Sequence, residues 1–170
     1  MWLFIILSLM SILLLGYAAI LLLYRKWFLQ LTPFVKPAAI KSATTFTIII
    51  PARNEGLYIG DCLHSIIQQN YPPHLFEVIV IDDHSTDNTS EIVLQLSQQF
   101  NNVKLIILAD ELNGQILNSY KKKAIENAIG HATGEWIITT DADCIAPENW
   151  LSNFDACIQL NNPVLVAAPV

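Results

Sequence analysis

The first 24 residues, Met1 to Tyr24, contain no charged side chain, and this run constrains the chain more than any other feature. About 20 apolar residues at a rise of ~1.5 Å each cross the ~30 Å hydrocarbon core of a bilayer. A buried helix of a globular domain would carry a polar stripe, and this run has none. A cleavable signal peptide, the main rival, would need a basic front and a shorter apolar core. We therefore predict an uncleaved transmembrane anchor over residues 1–26, helical from Leu3 to Tyr24.

Basic residues flank this run on one side only. They are Arg25, Lys26, Lys36 and Lys41. Because positive residues stay cytoplasmic, we expect a single-pass protein of the cell (inner) membrane whose remaining part is cytoplasmic. Three widely spaced cysteines without a CxxC motif agree with a reducing compartment and argue against a zinc site. Residues 27–45 contain Pro33 and Pro37 and are predicted to be a juxtamembrane linker.

Composition excludes two classes of protein. Acidic residues outnumber basic ones by 15 to 9, for a net charge of −6. Nucleic-acid-binding domains carry a basic patch, so no nucleic-acid partner is expected. Hydrophobic residues make up 53% of the chain and charged residues 14%, which is the reverse of the signature of disorder.

From Thr45 onward, short β-rich apolar runs alternate with amphipathic stretches. We predict strands over residues 45–50, 76–81, 103–108, 135–140 and 164–168. We predict helices over residues 57–70, 85–100, 119–131 and 147–159. Strands separated by helices of this length indicate an α/β fold with a parallel sheet covered on both faces. Pro51 is expected to stop the first strand. Since ligands bind at the carboxyl ends of parallel strands, the residues after each strand become site candidates.

Carboxylates collect after the predicted strands. They are Glu55 after the first, Asp82, Asp83 and Asp87 after the second, Asp110 and Glu111 after the third, and Asp141 and Asp143 after the fourth. Asp141-Ala142-Asp143 is a D-x-D, either a turn or a site whose hard oxygen ligands suit Mg²⁺ or Mn²⁺. Two adjacent buried carboxylates are costly without partners, so Asp82 or Asp83 should face a ligand or solvent. Alternatively, Asp83 and Ser85 cap the next helix, a role that Asp87 fits better.

Three stretches carry a resemblance to a known family. They read PARNE (residues 51–55), VIVIDDHSTDNT (78–89) and KKKAIENAIGHATGEWIITTDADC (121–144). Together they resemble the nucleotide-sugar half of the family 2 inverting glycosyltransferases, of the bacterial membrane-anchored type. The resemblance covers residues 46–170 and implies a Rossmann-like GT-A fold. It also implies sugar transfer from a nucleotide-diphosphate donor, typically a UDP-sugar, to a glycan or lipid acceptor with the help of a divalent metal ion.

The resemblance assigns roles residue by residue. The first loop (Pro51, Ala52, Arg53) would line the base pocket, Glu55 would contact the nucleotide, and Asp83 would accept a hydrogen bond from the base, while Asp82 would be structural. Asp143 would hold Mg²⁺ or Mn²⁺, and Asp141 would help to place the ribose or the metal. Lys121 would reach the diphosphate, although Tyr120 stands where the family usually has glycine; the other reading is a solvated helix start. Arg53 pairs with either a phosphate or the acidic rim. Of the four histidines, only His84 adjoins the site.

The general base is not assigned. An inverting transferase needs one, and the family supplies it from an acidic motif further along the chain. After Asp143 only Glu148 and Asp155 remain, and neither resembles that motif. We therefore expect a chain truncated at its carboxyl end, which binds the nucleotide but does not transfer sugar. A non-catalytic nucleotide-binding or scaffold module is one alternative. A receiver-like signalling domain is another, although its acidic pair would follow the first strand. Dinucleotide and P-loop motifs are absent.

Overall fold

The computed structural model describes residues 1–30, 34, 36–37, 40–109 and 120–168, with only the backbone of Tyr120 and Lys121. The chain divides into two compact units, Met1–Val35 and Lys36–Val170. The predicted contribution of Lys121 concerns a side chain outside this description. The predicted carboxylates Asp110 and Glu111 also lie outside the described residues.

The first unit is built on one helix, α1 (Trp2–Gln30), which is long and apolar enough to cross a membrane by length and composition. Its 29 residues extend about 43 Å at ~1.5 Å per residue, and none of its side chains is buried within the protein. A signal sequence passes the same test. The helix continues past the predicted boundary at Lys26, because neither glycine nor proline interrupts residues 27–30. The first four residues of the predicted linker, 27–30, are therefore helical.

The second unit contains a four-stranded parallel sheet of order β3-β2-β1-β4. Its strands are β1 (Phe46–Ala52), β2 (Phe76–Asp82), β3 (Val103–Ile107) and β4 (Trp136–Thr139). The two central strands are apolar on both sides, and β2 is buried along its whole length. Runs of isoleucine and valine of this kind suit a sheet covered on both faces. The predicted α/β fold with a mostly parallel sheet is confirmed.

Helices cover the two faces of this sheet. They are α2 (Ile59–Ile67), α3 (Thr89–Gln99), α4 (Tyr120–His131) and α5 (Trp150–Asn161), with a 3₁₀ turn at Pro73–Leu75. Side chains alternate along a strand, so Ile48 and Ile50 point to one face, where Leu63 of α2 and Leu151 of α5 belong to the same buried cluster. On the other face of the sheet, a second buried cluster combines strand residues with residues of α4. These residues are Ile49, Ile79, Ile81, Ala124 and Ala128.

Pro51 does not stop β1, contrary to the prediction. The strand continues to Ala52, whose carbonyl accepts a hydrogen bond from Asp83 N at 2.9 Å. On the other side, the Ile49 carbonyl accepts from Thr140 N at 3.3 Å. Pro51 lies two residues further on and faces the same way, and it has no N–H to offer. Proline therefore ends the ladder to β4 and leaves the ladder to β2 intact.

The predicted fifth strand is also wrong. Residues 164–168 form no strand with any described part of the chain, and Val164 and Leu165 are 99% and 83% exposed. A strand exists through its pairing, which an apolar run such as VLVAA does not provide by itself. Within the described residues β4 is thus an edge strand, with half-buried and exposed residues in alternation.

Candidate functional site

The strand order places the ends of β1, β2 and β4 at one crevice. From β1 the chain crosses to β2 on one side, and β4 later pairs with β1 on the other side. In open parallel sheets this reversal of order marks the point where ligands bind, beyond the carboxyl ends of the strands. The loops that leave β1, β2 and β4 meet there.

A cavity of about 380 Å³ occupies this position. Its lining residues are Pro51, Ala52, Arg53, Glu55, Asp83, Asp141, Ala142 and Asp143. The structure thus brings together every predicted donor-site residue whose side chain it describes. Only Ala142 was not among the candidates. A larger cavity of about 1040 Å³ runs along the open side of β4 and shares Pro51 and Asp141 with the first.

Hydrogen bonds join the loop after β1 to the loop after β2. Asn54 has a positive φ of 57°, a conformation that asparagine tolerates better than most residues. Its backbone N donates to Ser85 Oγ at 3.0 Å, and its side-chain Oδ1 accepts from Thr86 N at 2.8 Å. Two residues further on, Gly56 N donates to Asp87 Oδ2 at 3.0 Å. The two loops therefore form one wall of the cavity.

Asn54 was not singled out from the sequence. Its bridging role depends on the distance between two loops 31 and 32 residues apart, which no local pattern encodes. The available signal was the residue type itself, since asparagine is favoured in turns and at positive φ.

Asp87 takes the helix-start role expected of it. Its carboxylate accepts hydrogen bonds from the backbone N and the hydroxyl of Thr89, the first residue of α3. These contacts, led by the Thr89 hydroxyl, lower the pKa of Asp87. Asp83 is therefore not needed for capping.

The two adjacent aspartates at the end of β2 have different surroundings. Asp82 is 3% exposed, and its carboxylate accepts from Ser85 N at 3.0 Å and from the Ser90 hydroxyl. These bonds occupy Asp82 within the protein. Asp83 is 7% exposed, yet it lines the cavity.

Two basic side chains approach the Asp83 carboxylate. His84 Nδ1 lies 2.9 Å from Oδ1, and Arg53 Nη1 lies 4.0 Å from Oδ2. The Arg53 side chain is 60% exposed, so this pair is worth little in water. His84 itself has a positive φ of 58°, which turns the chain sharply after Asp83. Each carboxylate oxygen of Asp83 thus has one basic neighbour, His84 at Oδ1 and Arg53 at Oδ2.

The D-x-D segment follows β4 with both carboxylates on the outside. Asp141 and Asp143 are exposed, whereas Ala142 between them is buried in the core. The Asp141 carbonyl accepts from Cys144 N at 3.4 Å and from Cys62 Sγ at 3.7 Å. The segment is therefore a turn pinned by Ala142, and the turn presents two carboxylates to the cavity.

Cys62 is a buried free cysteine close to the D-x-D. Burial, and secondarily the neighbouring Cys144 and Asp143, raise the pKa of its thiol to about 12. Since metal binding requires the thiolate, a neutral buried thiol packs as a small apolar side chain. The carboxylates of Asp141 and Asp143 are the exposed oxygen donors at this end of β4.

Within the described segments, no group of three or more histidine, cysteine or acidic side chains is arranged to hold a metal ion. Two carboxylates nevertheless fit Mg²⁺ or Mn²⁺, because such ions are usually held by one or two carboxylates together with the phosphates of a substrate. The donor set at Asp141 and Asp143 thus suits a cation shared with a phosphorylated ligand.

Neither remaining acid serves as a base at this cavity. Asp155 is fully buried and accepts from Thr44 N at 3.1 Å, just before the start of β1. It therefore lies at the end of the sheet opposite the cavity. Glu148 is exposed and is not among the residues that line the cavity. The catalytic base stays unassigned within the described residues.

The parallel sheet and its switch-point cavity define an α/β domain of the GT-A type. The chain belongs to glycosyl transferase family 2, whose profile matches residues 47–169. The predicted family is thereby confirmed, and the receiver-like alternative is set aside.

Individual relatives agree. Glycosyltransferase AglE of Haloferax volcanii is 34% identical over 105 residues, covering 62% of this chain and 32% of the relative. The crystal structure of Staphylococcus aureus TarS 1-349 in complex with UDP is 28% identical with a TM-score of 0.58, covering 69% of this chain and 33% of that one. The mannosyltransferase PcManGT from Pyrobaculum calidifontis, in complex with GDP-Man and Mn²⁺, is 27% identical with a TM-score of 0.62 and covers 83% and 40%. The chain spans about a third of the length of these curated relatives.

Proposed function

We propose that this chain is the donor-binding part of a membrane-anchored glycosyltransferase. It would take a sugar from a nucleotide-diphosphate donor, a UDP-sugar, for transfer to a glycan or lipid acceptor with the help of Mg²⁺ or Mn²⁺. The observation that carries the proposal is the cavity, where the ends of three strands supply a buried carboxylate and an exposed D-x-D. The relatives with UDP and with GDP-Man and Mn²⁺ support a nucleotide donor.

The base would bind at Asp83. Its carboxylate lies in a nearly buried position, where a hydrogen bond is electrostatically stronger than in water. A carboxylate accepts hydrogen bonds and donates none, so it fits the N3–H of uracil and opposes the bare N3 of cytosine. Pro51 and Ala52 would line the same pocket, and Glu55 would contact the nucleotide. UMP should therefore bind better than CMP.

The diphosphate would lie towards β4. Asp143, assisted by Asp141, would hold the cation, which stabilises the negative charge that develops on the diphosphate as the sugar bond breaks. Arg53 lines the cavity with a mostly exposed guanidinium, which suits a phosphate better than its loose pair with Asp83. Lys121 is proposed as a second phosphate contact.

The anchor would be α1, inserted with its carboxyl end on the cytoplasmic side. Its length and apolar composition support this, together with the basic residues that follow it. Reporter fusions placed after Lys41 should show a cytoplasmic signal. A periplasmic signal, or a mature chain that begins near Ala19, would contradict both the anchor and the compartment.

Calorimetry on the full chain in detergent tests the donor site. The ligands are UMP, CMP and UDP, each with and without Mn²⁺. Asp83→Asn should weaken UMP binding whether or not Mn²⁺ is present, since it removes the acceptor of the base. Asp143→Asn should abolish the enhancement of UDP binding by Mn²⁺ and leave UMP binding unchanged.

Two controls accompany these variants. Lys122→Ala changes an exposed lysine next to Lys121 and should leave all affinities unchanged, whereas Lys121→Ala should weaken UDP but not UMP. If Asp143→Asn retains the full metal dependence, the assignment of the D-x-D is wrong.

Binding without transfer is proposed for these 170 residues alone, since the two acids after Asp143 lie away from the cavity. A positioned base contributes roughly 10²–10⁴-fold to such a reaction. Membranes that contain only this chain should transfer no radiolabelled sugar from UDP-sugars above background. Robust turnover would place a base within these residues.

A further inference from the structure

A cluster of polar side chains surrounds a buried carboxylate at the end of the sheet opposite the cavity. Its centre is Glu77, the second residue of β2. Glu77 Oε1 accepts from Thr47 Oγ1, Thr133 N and Thr133 Oγ1, each at 2.7 Å. Glu77 Oε2 accepts from Lys104 Nζ at 2.7 Å. The donors come from β1, from β3 and from the turn that joins α4 to β4.

The charge on Glu77 is tightly bound. Only 8% of the residue is exposed, and burial by itself would raise the pKa of its carboxyl. The hydrogen bonds from Lys104, Thr133 and Thr47 outweigh burial and lower the pKa to about 2. The group is therefore a carboxylate at every physiological pH, and its hydrogen bonds are charge-assisted.

The turn that Glu77 binds leads directly into β4. Gly134 N donates to Thr47 Oγ1 at 2.8 Å, so the same threonine contacts both Glu77 and the turn. Gly134 also lies directly on β1, where a Cβ would come within 2.5 Å of the Phe46 carbonyl carbon. The start of β4 is thus fixed by one carboxylate, one hydroxyl and one close backbone contact.

β4 is further tied to β1 by Thr45, whose hydroxyl accepts from Glu135 N and whose carbonyl accepts from Trp136 N, each at 3.0 Å. It is four residues long and, among the described strands, pairs only with β1. The D-x-D begins two residues after its end, at Asp141. Thr139 lies three residues beyond Trp136, or ~10 Å at ~3.3 Å per residue, so a strand that slides at its start also moves its end. A slip by one residue would turn every side chain to the opposite face.

We infer that Glu77 is a positioning residue, which fixes the start of β4 and thereby places Asp141 and Asp143 at the cavity. The inference rests on the proposed function only in assigning a cation to these aspartates. The Lys104 side of the same carboxylate serves β3 and has no contact with the α4–β4 turn.

A merely structural role for Glu77 predicts a different result from a positioning role. Loss of general stability would weaken every ligand alike. Loss of position would weaken only what the end of β4 binds, and it would spare the base pocket on β1 and β2. The ratio of metal-dependent UDP binding to metal-free UMP binding therefore separates the two roles.

The test uses the full chain in detergent and three variants. Thr133→Val removes one donor to Glu77 from the turn, Glu77→Gln removes the charge, and Lys104→Met is the matched control that removes a donor from the β3 side. Amide hydrogen exchange is measured for residues 136–144. UMP affinity without metal and UDP affinity with Mn²⁺ are measured beside it.

Thr133→Val and Glu77→Gln should accelerate exchange in residues 136–144 at least about tenfold, the scale of one charge-assisted hydrogen bond. Both should weaken UDP with Mn²⁺ by a similar factor and leave UMP within about twofold. Lys104→Met leaves the bonds from Thr133 and Thr47 to Glu77 in place, so it should change both quantities less than Thr133→Val does. If Glu77→Gln does not fold, the comparison of Thr133→Val with Lys104→Met decides.

Unchanged exchange in residues 136–144 would overturn the inference, and so would equal losses of UMP and UDP binding or the same effect from Lys104→Met. If the unaltered chain shows no dependence on Mn²⁺, the proposed function fails instead. The exchange of residues 136–144 then still decides whether Glu77 places this segment.

Discussion

The loops after β1 and β2 and the segment after β4 form the two sides of one cavity, but they are held in different ways. The first two loops bind each other through Asn54, Gly56 and their partners, and they leave strands buried in the middle of the sheet. The D-x-D leaves a four-residue strand and exposes both carboxylates. The base side is therefore preformed by bonds between two loops, whereas the metal side is held by Ala142 in the core and by the anchors at the start of β4.

This difference has a consequence for ligand binding. A preformed pocket costs little ordering when the ligand arrives, whereas a loosely held one must be ordered by the ligand itself. Two carboxylates near each other also repel until a cation neutralises them. Metal and diphosphate should accordingly rigidify the end of β4 and change the first two loops little.

The largest expected effect comes from Gly134→Ala. A Cβ at this position would lie 2.5 Å from the Phe46 carbonyl carbon and 2.9 Å from Thr47 Oγ1, so β1 and the α4–β4 turn would be forced apart. Overpacking of this kind costs about 1–3 kcal/mol or more of the free energy of unfolding. Urea unfolding followed by tryptophan fluorescence measures it.

The matched control is Gly130→Ala, on the exposed part of α4, where an added Cβ meets nothing within 4 Å. It should stabilise the chain by up to about 1 kcal/mol, the difference in helix propensity between the two residues. Equal effects of the two alanines would mean that the contact at Gly134 does not hold β4.

The next largest effect is expected from acid, which should weaken the hydrogen bonds by which the Glu77 carboxylate holds the start of β4. The pKa of Glu77 falls from an ordinary value of 4.5 to about 2 on folding. Its stabilisation is therefore complete above about pH 4.5 and is lost as the pH falls towards 2. The scale is that of hydrogen bonds to a charged group, about 1.5–3 kcal/mol.

Urea unfolding at several pH values, compared between the unaltered chain and Glu77→Gln, checks this. The difference in the free energy of unfolding should be constant above about pH 5 and should shrink below pH 4.5. A difference that does not depend on pH would show that the charge of Glu77 contributes nothing.

The bridge between the first two loops is expected to be worth somewhat less. Asn54→Ala loses the hydrogen bond to Thr86 N and places alanine at a φ of 57°. The lost bond costs about 0.5–1.5 kcal/mol, and alanine tolerates the left-handed backbone less well than asparagine does. Asn54→Gly removes only the bond, so it should lose less stability than Asn54→Ala. UMP affinity should fall in the same order, and the reverse order would exclude backbone strain as the cause.

The smallest effect is expected on the exposed face of α4. Glu126 lies 3.7 Å from Lys122 Nζ and 3.5 Å from Lys123 Nζ, and all three side chains are well exposed. Exposed pairs at this spacing are worth about 0.3–0.5 kcal/mol and are screened by salt. Glu126→Gln should change the free energy of unfolding by no more than this, and less in 0.5 M salt. A larger loss would show that the lysine run does more than solvate the helix.

Much of the site could be predicted because its signals are local. A strand pattern followed by an acidic residue places Asp83, Asp141 and Asp143 at one edge of a parallel sheet, and the structure brings all three to one cavity. Asp82 and Asp87 also have the structural roles expected of them.

The errors and omissions share a non-local cause. Pro51 was expected to end β1, but its effect depends on which neighbour its missing N–H faces. The run at 164–168 has the composition of a strand and lacks a described partner. No local pattern distinguishes Glu77 within its apolar strand, since its importance arises from donors 27 to 56 residues away. Strand pairing and buried polar contacts between residues so far apart in the sequence cannot be recognised from a short sequence pattern.

Anomalous scattering from crystals of the chain grown with UDP and Mn²⁺ tests most directly whether one side of the cavity binds the base and the other binds the metal ion. We expect one Mn²⁺ ligated by the Asp143 carboxylate and by diphosphate oxygens, with the uracil N3–H on the Asp83 carboxylate. A cation bound away from Asp143, or a base that does not contact Asp83, would contradict it.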